Sequence, residues 1–312
     1  LSAFFVCLFA LFIVLINYKT SYLEVDIASK FKSLELSLSE NQEIIVVDSK
    51  NPFSFNDLLF RYKYISNQKV YAILTFPKDD NSKYPVVMGI AGSKGWSDHH
   101  YGYMDRYLEA GFATIILHSF DSRNVSSTVG EQVSATTAML VNDAFKTLQH
   151  ISKHPRVNKE KVGITGWSLG GAVALFTAWS PIKDVLSPNH AFAAHLPIYP
   201  PCMVVPQDLS FTGSPVHILI GEDDNWVPAD ACIDMVDIVQ NKNMTITTYP
   251  NSHHSFDRFH GLIDVDDAYS FTDCRLKLTN DGLVRTLDWG FPLSNSVLQK
   301  SVLAFCADRG AT

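Results

Sequence analysis

The residues Gly166-Trp167-Ser168-Leu169-Gly170-Gly171 have the form G-x-S-x-G. They lie where a β-branched run, Val162-Gly163-Ile164-Thr165, meets a small-residue helical pattern that begins Ala172-Val173-Ala174. A strand that turns sharply into a helix around this motif presents its serine hydroxyl as a nucleophile. A serine in so strained a turn needs crowded neighbours without side chains, which accounts for Gly166 and Gly170. The helix starting near Leu169 aims free N–H groups at the place where an oxyanion would form.

A serine hydroxyl is a poor nucleophile until a base takes its proton, and the base needs an acid to orient it. Downstream of Ser168, Gly221-Glu222-Asp223-Asp224-Asn225-Trp226-Val227-Pro228 follows one apolar run. Pro250-Asn251-Ser252-His253-His254-Ser255-Phe256 follows the last one. The order serine, acid, histidine suits a nucleophile elbow on an open sheet. Both segments fall at carboxyl ends of strands, where such sheets place their sites. On the residues alone the acid is Asp223 or Asp224, and the base is His253 or His254. His99-His100 and His253-His254 lack the spacing of a zinc site, so neither metal nor cofactor is expected.

The elements that must carry these groups are legible as apolar runs. Strands are expected at 43–47, 70–76, 85–90, 112–117, 192–198, 216–220 and 245–249, besides the one ending at the elbow. Helical spacing marks 103–110, 133–152, the elbow helix to about 179, 230–240 and 296–307. Strands alternating with helices predict an α/β fold with a doubly wound, mainly parallel sheet in one domain, 43–312. The Asp-rich stretch 256–292 shows no regular period and reads as a solvated surface excursion.

With 46% hydrophobic and 18% charged residues, the chain can bury a sizeable core. A net charge of −7 without a basic, aromatic-interleaved stretch excludes a nucleic-acid partner. Residues 1–16 are uncharged and almost wholly apolar. They predict an N-terminal hydrophobic helix in segment 1–18, read as an uncleaved signal anchor, with a cleaved signal peptide as the alternative. Residues 19–42 then form a polar linker. Outside that segment stand four cysteines, Cys202, Cys232, Cys274 and Cys306, an even number that fits export to an oxidising compartment. A cytoplasmic location with free thiols is the alternative.

From about 70 to 307 the chain resembles the dienelactone hydrolase family of α/β-hydrolases, on the elbow, on Gly221–Pro228 and on His254-Ser255-Phe256. The resemblance implies an ester or lactone hydrolase acting on small molecules, with Ser168, Asp224 and His254 as its triad. It implies an oxyanion hole formed by the backbone N–H groups of Leu169 and Ser93. Two departures stand out. The founding enzymes use a cysteine nucleophile, and Gly92 takes the place of a glutamate they carry. A serine therefore points to a general carboxylesterase. The same resemblance makes Arg123 and Arg258 candidates for holding a substrate carboxylate, with Trp167 as a further substrate contact. The rival for each arginine is an ion pair with Asp121 or Asp257. Exported relatives also suggest a Cys202–Cys232 disulfide, leaving Cys274 with Cys306. The competing functions are a peptidase on the same fold and a membrane-tethered, non-catalytic binding domain.

Overall fold

The computed structural model describes residues 37–79 and 83–312. Contacts divide the chain into residues 1–44 and 45–312. Of the first unit only 37–44 are described, a turn running into the first strand. The expected N-terminal helix at 1–18 and most of the linker 19–42 lie outside the described residues. Among the described residues no helix is long and apolar enough to cross a membrane.

The second unit is organised on a sheet ordered β1-β2-β4-β3-β5-β6-β8-β9. Its first half consists of β1 (Gln42–Lys50), β2 (Asn67–Thr75), β3 (Tyr84–Ile90), β4 (Ala113–Leu117) and β5 (Val157–Trp167). Beyond them come β6 (Ala194–Ile198), β8 (Val216–Gly221) and β9 (Met244–Tyr249), while the short β7 (Val204–Pro206) lies in a separate sheet. From β4 to β9 every neighbour pairs in parallel, while β2 meets β4 antiparallel. The expected doubly wound, mainly parallel sheet is present. Its central strands bury nearly every residue, because helices cover both faces; Val86, Met88 and Ile90 of β3 are all 1% exposed or less.

The helix over Thr137–Ile151 buries Ala138, Val141, Ala144, Phe145 and Leu148, the face expected from its spacing. It starts four residues later than expected, since the Thr136 hydroxyl caps it by accepting from Met139 N–H. The helix expected at 103–110 instead begins at Asp98, after Ser97. The elbow helix stops at Phe176, and a second one, Ser180–Leu186, begins with Pro181 in its first turn.

The excursion at 256–292 needs correction. It contains β10 (Val265–Ser270), β11 (Leu276–Leu278) and β12 (Val284–Thr286). β10 pairs with the C-terminal β13 (Asp308–Ala311), and β11 lies between β12 and β7. Ala268, Cys274, Leu276 and Leu278 are buried. β7, β11 and β12 have three residues each, too few to show a period of two, β10 does not alternate, and β10 and β11 also pair with the distant β13 and β7. Both expected disulfides are formed, Cys202–Cys232 and Cys274–Cys306.

Two stability predictions follow from this packing. Replacing Cys274 and Cys306 by serine opens a loop of 32 residues and should cost about 3–4 kcal/mol. An unchanged guanidinium midpoint would show that the bridge constrains nothing. His195 on β6 is fully buried, with Nδ1–H donating to the Ala174 carbonyl at 2.9 Å, and burial pulls its pKa down to about 4. Between pH 6.5 and 4 the unfolded chain gains a proton there that the folded chain refuses. Stability present above pH 6.5 should fall through that window by an amount on the order of 3 kcal/mol. His195→Gln should flatten the decline in unfolding free energy over that pH range, and an equally steep decline in the variant would refute the assignment.

Candidate active site

The elbow is built by backbone crowding. Ser168 sits at φ 55°, ψ −113°, between the end of β5 and the helix Leu169–Phe176. A Cβ on Gly166 would lie 2.2 Å from the Gly170 carbonyl oxygen, and one on Gly170 would lie 2.2 Å from that of Ile90. Both glycines expected from sterics are therefore required. Ser168 N–H donates to the Ile198 carbonyl at 2.9 Å, which ties the turn to β6.

Asp224 follows β8 and His254 follows β9, two adjacent parallel strands whose carboxyl ends lie at the same rim as the elbow. A Cβ on Gly221 would lie 2.1 Å from the Ser252 carbonyl oxygen, so that glycine lets the two loops touch. His254 Nδ1 lies 2.7 Å from Asp224 Oδ2, and its Nε2 lies 3.0 Å from Ser168 Oγ. The other Asp224 oxygen accepts from the N–H groups of Trp226 and Val227 at 2.9 and 3.0 Å. Both open choices are thereby separated. Asp224 is buried while Asp223 is exposed, and the Nδ1 of His253 meets no partner among the described residues.

Aromatic rings fix the imidazole. Trp226 stacks on His254 at 4.9 Å with a 10° tilt, and Tyr199 packs on it at 4.7 Å. Beneath this loop Asp257, 3% exposed at its side chain, accepts from Trp167 Nε1–H and Tyr199 O–H, each at 3.0 Å. Burial, with the Asp257 carboxylate second, pushes the Tyr199 hydroxyl well above its usual range, so it stays a donor. Sequence reasoning missed Tyr199, Trp226 and the anchoring role of Asp257. The only available signal was their nearness to the motifs. His100, next to Trp167, is held neutral by burial and the neighbouring His99, with its pKa lowered to about 3.

Leu169 is the first residue of the elbow helix, and Ser93 lies in the loop after β3. Among the described residues neither backbone N–H meets an acceptor. Ser93 and Ser168 border the same two cavities. Arg258 and Trp167 line the larger one.

Arg123 corrects the expected carboxylate clamp. Its guanidinium pairs in a fork with Asp143, Nη1 to Oδ2 at 2.7 Å and Nη2 to Oδ1 at 3.0 Å. Its Nε–H donates to Asn51 Oδ1 at 2.8 Å. The arginine is 5% exposed and the aspartate 0%, and Arg123 borders neither cavity next to Ser168. The partner is neither Asp121 nor Asp257, because Asp143 reaches it from the buried face of the helix Thr137–Ile151.

A model of the dienelactone hydrolase family matches residues 70–271. No match was found among curated proteins. Among solved structures, one similar chain is a Klebsiella pneumoniae protein assigned as a dienelactone hydrolase, 18% identical with a TM-score of 0.50. That similarity covers 69% of this chain and 88% of the other. Another is a dienelactone hydrolase-like promiscuous phosphotriesterase from metagenomic libraries, 17% identical with a TM-score of 0.50, covering 69% and 84%. Both likenesses concern the fold.

Removing Arg123 leaves a wholly buried carboxylate unpaired. Arg123→Ala should lose about 3–5 kcal/mol of stability while keeping the ratio of activities on anionic and neutral esters. A loss confined to anionic esters would return Arg123 to the substrate site.

Proposed function

We infer that this chain, which belongs to the dienelactone hydrolase family, hydrolyses carboxylic esters or lactones of small substrates through an acyl-enzyme on Ser168. The observation that carries the reading is the continuous relay from Asp224 Oδ2 through His254 to Ser168 Oγ, at 2.7 and 3.0 Å. Within that geometry His254 Nε2 takes the Ser168 proton as Oγ attacks the carbonyl carbon. Asp224 holds the Nδ1–H tautomer and offsets the charge of the imidazolium. The free N–H groups of Leu169 and Ser93 receive the oxyanion, a contribution that develops only as charge does. His254 then gives its proton to the departing alkoxide, and water repeats the sequence to release the acid.

The engagement of Arg123 by Asp143 leaves Arg258 as the remaining candidate for an acidic substrate group, which favours neutral esters. The two disulfides support an oxidising compartment, and the apolar segment 1–18 supports export with a membrane anchor.

A fluorophosphonate should label the purified protein at Ser168, as read by peptide mass mapping. Ser168→Ala should take no label and lose about 10⁴-fold or more of its nitrophenyl-ester turnover. Undiminished labelling of the variant would sink the assignment. A wild-type chain inert to both label and esters would leave the non-catalytic binding domain as the better reading.

A further inference from the structure

Ser168 stands between two cavities that differ in size and in charge, the smaller being lined by no carboxylate and no basic side chain. The first, of about 170 Å³, is walled by Phe53, Phe176, Met203, Phe271, Leu276 and Leu293. The second, of about 860 Å³, carries Lys94, Asp98, His99, Asp223, Arg258 and His260. It is also lined by apolar Phe256, Phe259, Leu262 and Ile263, of which Phe259 and Leu262 are 67% and 66% exposed. Ser168, Ser93 and Trp226 border both cavities. Leu169 borders only the first, and His254 only the second.

That division orients an ester. In acylation the Ser168 Oγ–carbon bond forms, the carbon–alkoxy oxygen bond breaks, and the serine proton passes through His254 Nε2 to the departing oxygen. The alcohol portion must therefore lie on the side that holds His254, which is the large chamber whose lining carries the charged side chains. The acyl portion is left the other exit from the carbonyl carbon, past Leu169 into the apolar cavity. We propose, resting on the hydrolase reading above, that the substrate joins an apolar acyl group of about six carbons to a polar alcohol, with the acyl group in the small cavity and the alcohol in the large one. The length follows from volume. A cavity of about 150 Å³ lined by aliphatic and aromatic side chains holds one benzene, so 170 Å³ takes roughly six carbons. Each methylene withdrawn from water there should raise kcat/KM about fourfold until the cavity is full.

The test uses the purified full chain with 4-nitrophenyl esters from acetate to dodecanoate, then with hexanoate esters of glycerol and of octanol. The expected profile climbs about fourfold per methylene to near six carbons and falls beyond, with the glycerol ester preferred to the octyl ester. A profile that is flat or declines from acetate, or a preference for the octyl ester, overturns the proposal and leaves the hydrolase reading standing. Silence on every ester with Ser168 unlabelled by a fluorophosphonate overturns that reading, and the proposal with it. Val284 lines the small cavity and not the large one, so Val284→Trp should move the optimum at least two carbons shorter. An unmoved optimum in a variant that still takes the fluorophosphonate label overturns the assignment of that cavity to the acyl chain.

Discussion

The site depends on how closely three backbones approach each other around Ser168. Its φ of 55° is a strained conformation for a residue with a side chain, costing on the order of 1–3 kcal/mol. The surrounding sheet enforces it. Gly170 packs under the carbonyl of Ile90 at the end of β3, and a Cβ on Gly171 would lie 2.7 Å from the Ile198 carbonyl at the end of β6. β5 is thus gripped from both neighbouring strands just where it turns, and relaxing Ser168 would mean separating a fully paired parallel sheet. Hydrophobic burial in the central strands holds the strain.

With Oγ fixed, the other groups are brought to it by register. β8 and β9 pair in parallel from Val216↔Met244 to Gly221↔Tyr249, so their following loops leave the sheet side by side. Gly221 then allows backbone contact between them. The histidine loop has no regular structure of its own and contains Asn251 and Ser255 at positive φ. It is held from below by Asp257, which accepts from Trp167 next to the serine and from Tyr199 at the end of β6. One buried carboxylate therefore references the base to the same two strands that position the nucleophile. The rings of Trp226 and Tyr199 remove the imidazole's remaining rotational freedom.

The sequence made legible those features that are local or repeat along the chain. Apolar runs marked all the central strands, and the glycine spacing at 166 and 170 marked the elbow, because sterics at a turn act over a few residues. The choice between Asp223 and Asp224 was not local. It turns on which carboxylate faces the N–H groups of Trp226 and Val227 inside the loop, and both aspartates follow the same strand. Family resemblance named Asp224 and His254, and the geometry brings that pair together. Arg123 shows the opposite outcome. Its sequence neighbour Asp121 pairs with His118, while its own partner Asp143 comes from a helix whose polar residue on a buried face left no periodic signal.

The two disulfides mark a division of labour in the fold. Neither links strands of the central sheet, whose burial and pairing already suffice. Cys202–Cys232 fastens the loop that carries Pro201 and Met203 to the helix Ala229–Val239, just beyond Val227. Cys274–Cys306 fastens the loop before β11 to the helix Ser296–Cys306, which carries Leu303. All four of those apolar side chains line the small cavity beside Ser168. Part of its wall, Met203, Val204, Leu276 and Val284, comes from three-residue strands and a loop, the kind of structure that opens locally at low cost, while Leu169, Ala172 and Phe176 belong to the elbow helix. The covalent ties restrict the local opening of those loops. The elbow, and the part of the cavity wall its helix forms, draw rigidity from the sheet, whereas the loops on the other side of the cavity are tied by the two disulfides.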